Sequence, residues 1–256
     1  MGEPLIKQPL IEALCEFQFS PIDKWDSTVS EIFYDQVKSD FPERKPINQL
    51  NFQVDQLNVQ LTIGQESLQN IPESLVSQRL QFKRSDNSAV VQVGSDLLAI
   101  NHLQPYRSWE DFRSLILKMF SIYVEICNIK RLERINLRYI NHISTPEGRF
   151  EIEQFLTVFP IFPSPINIDL SSFSQVYNFE YVKAKATLKH HTGIIQTTEG
   201  QVGLLLDLDF MSREIESFED QSALIYWLKN WLNEAHDFIE SAFIASLNPD
   251  YYESLK

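Results

Sequence analysis

The residues in this chain whose types and spacing could do chemistry sit mostly at strand positions. Arg134 and Arg138, with Arg131 and Lys130 just before them, form the one basic concentration with a defined geometry. They fall on the same side of an alternating stretch as His142, so their guanidinium groups could receive a carboxylate or a phosphate. The structural alternative, which we favour, is a charge network across a sheet with acids such as Glu12 and Glu16. Asp207 and Asp209 share a strand face as well. Two carboxylates so placed could hold Mg²⁺ or serve as acid and base, whereas cross-strand pairing with Lys183 and Lys185 is the simpler expectation. Asn101, His102, Tyr106 and Trp109 bunch where a strand ends and a helix begins, a place where polar groups line pockets and helix amides can receive an anion. His190-His191 reads as a hairpin tip, and neighbours on a strand point to opposite faces, so the pair is a poor chelate for one metal. His236 falls between buried positions of the last helix and reads as a boundary residue.

Much chemistry is disfavoured by what the sequence lacks. It contains no nucleophile elbow, phosphate-cradling glycine loop, HExxH or zinc spacing. No catalytic residue, metal or cofactor is therefore assigned, and an enzyme is the less favoured class. The formal net charge of −13 opposes polyanions at long range, which makes nucleic acid an unfavoured partner. Glu3, Lys7 and two prolines interrupt any apolar signal core in the first ten residues, and no apolar run approaches the ~18–20 residues that span a bilayer. With two cysteines, Cys15 and Cys127, and no CxxC, the expectation is a reduced cytoplasmic protein without a membrane partner.

The elements that must position these residues are legible from periodicity. Ala13, Cys15, Phe17 and Phe19 alternate with polar residues, the pattern of a half-buried strand. Val29, Ile32, Phe33, Val37 and Phe41 recur at helical spacing after Trp25 until Pro42. Strands follow at 51–54, 57–63, 80–84, 89–93 and 97–103, the third and fourth joined across Ser85–Ser88. A long helix opens at Trp109, with Ser108 and Asp111 resembling a capping box. The second half reads as a strand at 132–143, a short helix at 152–159, strands at 173–188 and 193–198 around a polar turn at 189–192, a strand at 202–210, and a long helix from Phe218.

Runs of adjacent strands argue for α+β, with helices on one face of an antiparallel sheet. Both long helices start with similar strings, Ser108-Trp109-Glu110-Asp111 and Ser217-Phe218-Glu219-Asp220. The reading is therefore an internal duplication of one unit (strand, helix, antiparallel strands, long helix) over residues 1–130 and 131–256. The order resembles that of the TATA-binding-protein-like fold, which implies one continuous curved sheet.

The stretches Pro9–Ala13, Ala99–Leu103 with Pro105-Tyr106, Trp109-Glu110 with Phe112, and Arg134–Asn141 (Arg-Ile-x-Leu-Arg-Tyr-Ile-Asn) together resemble a sporadically distributed prokaryotic family of uncharacterised proteins of similar length. The scattered distribution of that family implies mobile genes and so a defence-related or partner-neutralising role. The functional expectation is a binding protein that holds a protein partner on its sheet face or at the seam between halves. The competing expectation is an enzyme or small-anion binder centred on Arg134, Arg138 and the Asn101, His102, Tyr106 turn; a third is nucleic-acid binding by the sheet face. Partner identity and oligomeric state are not legible.

Overall fold

The computed structural model describes residues 5–20, 25, 27–54, 57–63, 76–129, 131–146, 150–161, 170–196, 202–212 and 217–256, with the backbone alone at 27, 48–54, 57–63 and 76–78. Lys130 lies outside them. In chain order the elements are β1 (Leu10–Gln18), α1 (Ser27–Val37), β2 (Glu43–Val54), β3 (Leu57–Ile63), β4 (Val76–Lys83), β5 (Ala89–Val93), β6 (Leu97–Leu103), α2 (Trp109–Cys127), β7 (Arg134–Ser144), β8 (Ser174–Tyr181), β9 (Ala186–Gln196), β10 (Val202–Ser212), α3 (Gln221–Ser246) and α4 (Pro249–Ser254). The ten strands form one sheet in the order β3-β2-β4-β5-β6-β1-β7-β10-β9-β8. Every recorded pairing is antiparallel. The fold is α+β, as expected. No helix among the described residues is long and apolar enough to cross a membrane.

Strand alternation assigns the two faces. Phe17 pairs with Leu98 on one side and Ile135 on the other, and Phe210 with Leu137, so these residues point the same way. The helices pack there. Phe17 lies 4.5 Å from Phe120 of α2, Phe210 lies 5.9 Å from Trp231 of α3, and Phe82 lies 5.5 Å from Phe33 of α1. The resulting core holds Phe17, Phe82, Ile100, Phe112, Phe120, Leu137 and Phe210 essentially out of solvent. Burial at roughly 25 cal/mol per Å² of apolar surface is the main source of stability for such a layer.

Several local expectations are corrected. The two similar strings do not start their helices alike. Ser108 caps α2 by accepting from Asp111 N at 3.1 Å, whereas α3 begins three residues later, capped by Asp220, which accepts from Ala223 N at 2.8 Å. The helix expected to run on to Phe41 stops at Val37, where the amides of Asp40 and Phe41 turn back to the Val37 carbonyl ahead of Pro42. β2 starts directly after Pro42, well before residue 51. The helix expected at 152–159 is reduced to a single 3-10 turn, Ile152–Gln154, after which Leu156 bridges to Leu247.

The turn expected at 189–192 is instead the middle of β9. The chain reverses at Val182–Lys185, with Lys185 in the left-handed region at φ 48°. The polar residues taken for a turn are strand residues: His190 faces the helices, and its Nε2 sits 2.7 Å from Ser246 Oγ on α3. α4, after the long helix, has no counterpart in the periodicity; Asn248 caps it and Pro249 opens it.

Candidate functional site

Asn101, Arg134 and Arg138 lie on the sheet face turned away from the helices, while His102 and Tyr106 lie on the helix side. The residues grouped as one candidate pocket in the sequence are thus divided between two places.

On the outer face, the even-numbered residues 134–138 of β7 stand between Glu12, Glu16 and Gln18 of β1 and Asp207 and Asp209 of β10. Arg138 grips Asp207 in a two-pronged pair: Nε donates to Oδ1 at 2.8 Å and Nη2 to Oδ2 at 2.6 Å. The Asp207 side chain is only 6% exposed, against 36% for Arg138, so the guanidinium covers a carboxylate that water hardly reaches. The pairing holds Arg138 more firmly protonated than a free guanidinium. His191 Nδ1 approaches the same carboxylate at 3.9 Å, and its Nε2 lies 2.8 Å from Ser174 Oγ. Burial holds His191 toward the neutral form, and the nearby Asp207 partly opposes this.

Asp209 accepts from Asn136 Nδ2 at 3.1 Å. Burial pushes its carboxyl up to about 6, against the pull of Arg138 and Asn136. Arg134 Nη2 reaches Glu16 Oε1 at 3.4 Å, where Gln18 Nε2 also donates at 3.1 Å, and Asn101 donates to the Glu12 carboxylate. Arg79 of β4 is buried on this face as well. Among the described residues, the buried atoms of the face without a hydrogen-bond partner include Asn136 Oδ1, Asn101 Oδ1, Arg134 Nε and His142 Nε2.

The expected lysine partners of the aspartates are not there. Lys183 and Lys185 sit in the β8–β9 turn, and the β9 residues opposite Asp207 and Asp209 are His191 and Lys189. Among the described residues no group of three or more His, Cys, Asp or Glu side chains is arranged to hold a metal ion.

The second place is the seam where α2 and α3 meet over β7. Trp109, the first residue of α2, stacks on His236 of α3 with ring centroids 4.3 Å apart and planes 9° from parallel. The Tyr139 hydroxyl of β7 lies 2.9 Å from His236 Nδ1, and Tyr106 stands 6.3 Å from the Tyr139 ring. His102 packs edge-on against Tyr106 and Phe112, with Nδ1 2.9 Å from the Leu103 carbonyl. Burial keeps His102 and His236 toward the neutral form and raises the Tyr106 and Tyr139 hydroxyls above the usual phenol range. A pocket of about 140 Å³ opens here between Leu10, Tyr106, Tyr139, His236, Glu240 and Tyr252. A wider cleft of about 360 Å³ between α2 and α3 shares His236 and Glu240 with it.

Sequence reasoning missed Tyr139 and His236 as site residues. His236 and Glu240 are four residues apart on one helix, which puts them on one face, and that spacing was the available signal. The Arg138–Asp207 pair had a signal too, since arginines and aspartates both alternate on strands, but nothing in the sequence made those strands neighbours. The chain matches no family model and no curated protein sequence.

Proposed function

We propose that this chain is a binding protein that holds a protein partner on the outer face of its sheet. The observation that supports this reading is the mixed-sign row of Glu16, Arg134, Arg138 and Asp207 on the central strands β1, β7 and β10, in which the two guanidinium side chains keep about a third of their surface open. Guanidinium groups open to that extent can still receive a carboxylate from a partner surface. The charges of the row are largely satisfied by one another, so the face offers a preformed mixed-sign pattern of the kind that selects a complementary surface. The resemblance to a scattered prokaryotic family adds a defence-related setting to the proposal, with the protein working in the cytoplasm.

The same proposal includes the symmetry of the scaffold. About the central β1–β7 pair, β6 matches β10, β5 matches β9 and β4 matches β8, and each half carries a long helix after its strands on the same face. We read this as a duplicated unit, 1–130 and 131–256, in the manner of the TATA-binding-protein-like saddle. Superposition of the halves should bring α2 onto α3.

The test is capture from the native host with mass-spectrometric identification, run with wild type and with Arg134→Ala. One specific protein retained by wild type and lost with the variant, at an unchanged melting temperature, is the expected result. Capture indifferent to the substitution would overturn the assignment of this face. The small-anion reading has one observation in its favour, the Arg134 guanidinium, which is about one-third exposed and holds Glu16 only by a long contact of 3.4 Å. It predicts that phosphate raises the melting temperature of wild type but not of Arg134→Ala. Nucleic-acid binding by the face would show as affinity for oligonucleotides that falls steeply with salt.

A further inference from the structure

We propose that the seam pocket is a binding site for a small alkylammonium ion, independent of the sheet face. Its wall is aromatic, with Tyr106, Tyr139, Phe243 and Tyr252 around a volume of about 140 Å³ that admits a molecule of a few heavy atoms. Among the described residues that line it, the one charged group is Glu240, half-buried on α3. Among the described residues no lysine or arginine lines the pocket and no ion pair to Glu240 occurs. His236, one helical turn before it, does not neutralise it, since the ring stacks on Trp109, faces the Tyr139 hydroxyl through Nδ1 and is held toward the neutral form. Arg113, which shares the adjoining cleft with Glu240, donates to the Lys229 carbonyl at 3.4 Å. Lys256 lies over the Tyr252 ring at 5.0 Å, but it pairs with Glu253 and does not line the pocket.

A carboxylate with no ion pair among the described residues, set among aromatic faces, favours a cation over a neutral or anionic guest. Ring quadrupoles attract the ammonium and the carboxylate supplies the opposite charge, while the alkyl part covers the apolar wall. A neutral alcohol of the same shape would gain only the last of these.

The experiment titrates the full chain with tetramethylammonium, n-butylammonium and, as neutral control, tert-butanol, following the Trp109 indole and His236 ring signals by NMR. Saturable shifts with at least one of the two cations at millimolar concentrations or tighter, roughly tenfold weaker or absent with tert-butanol, are expected. Glu240→Gln, which keeps the shape and removes the charge, should weaken cation binding by about tenfold or more while leaving the alcohol response unchanged. Should that variant fold poorly, Tyr252→Leu removes one ring from the wall and should also lower cation affinity. Saturation by cation and alcohol alike, cation binding unaffected by the substitution that folds, or no saturable response would each overturn the proposal.

Discussion

The two faces of the sheet carry polar groups into low-solvent surroundings by opposite means. On the helix side the groups are neutral, including His102, His190, Thr192, Asn141 and Tyr139, and the ones whose bonds can be traced use a single neighbour: Ser246 for His190, His236 for Tyr139, the Leu206 carbonyl for Asn141. On the outer face ionised groups pair strand to strand, Glu16 with Arg134 across β1 and β7 and Arg138 with Asp207 across β7 and β10. A neutral group in the packed layer needs one hydrogen bond, while an ionised one also needs a countercharge. The helix side is accordingly a stability layer. The outer face keeps charge, which the proposed partner binding would use.

The difference can be broken most severely on the helix side. Phe17→Ala should lower unfolding free energy by about 3–5 kcal/mol, as for other large-to-small changes in a sealed core, measured by denaturant unfolding. Arg138→Gln, on the outer face, leaves Asp207 without its two-pronged partner and should cost about 1–3 kcal/mol in the same assay. A melting temperature unchanged by Arg138→Gln, with binding lost, would recast that arginine as a contact residue.

Asp209→Asn should move stability the other way, raising it by about 1 kcal/mol at neutral pH and above. Because its folded pKa is raised to about 6, the native state takes up a proton before the unfolded chain does. Wild type therefore gains stability from this group as pH falls through about 6, and the advantage of the variant should shrink over that interval. The buried histidines act with the opposite sign. His102, His190, His191 and His236 all have lowered folded values, so each withdraws stability as pH falls below its unfolded value near 6.5. Unfolding curves of Asp209→Asn and wild type between pH 4 and 8 separate the two contributions. The smallest effect is expected for Arg134→Ala, about 0–1 kcal/mol, because its contact with Glu16 is long and the arginine is one-third exposed.

Period-two and helical patterns made β1, β3, β10 and α2 legible, since each has one clearly apolar face, while β5 and β6 were placed by the turn-rich Ser85–Ser88 and the continuing meander. The centre of β9 was not legible. Lys189, His190, His191 and Thr192 look like a turn until tertiary contacts give His190 a serine and His191 an aspartate. Side of strand was legible for Arg134, Arg138, Asp207 and Asp209, but which strands adjoin was not, so their actual pairing was out of reach. Asn101 and His102 show the same limit at closer range, because consecutive strand residues belong to different faces and hence to different sites.

The central claim, that the outer face is the binding surface, is tested most directly by measuring the affinity of the purified captured partner for three variants beside wild type. Arg134→Ala and Asn101→Ala alter the face; Glu240→Gln alters only the seam. The account predicts at least about a tenfold loss for each face variant and none for Glu240→Gln, with all three melting like folded protein. Equal affinities for wild type and the face variants, or loss confined to Glu240→Gln, would contradict it.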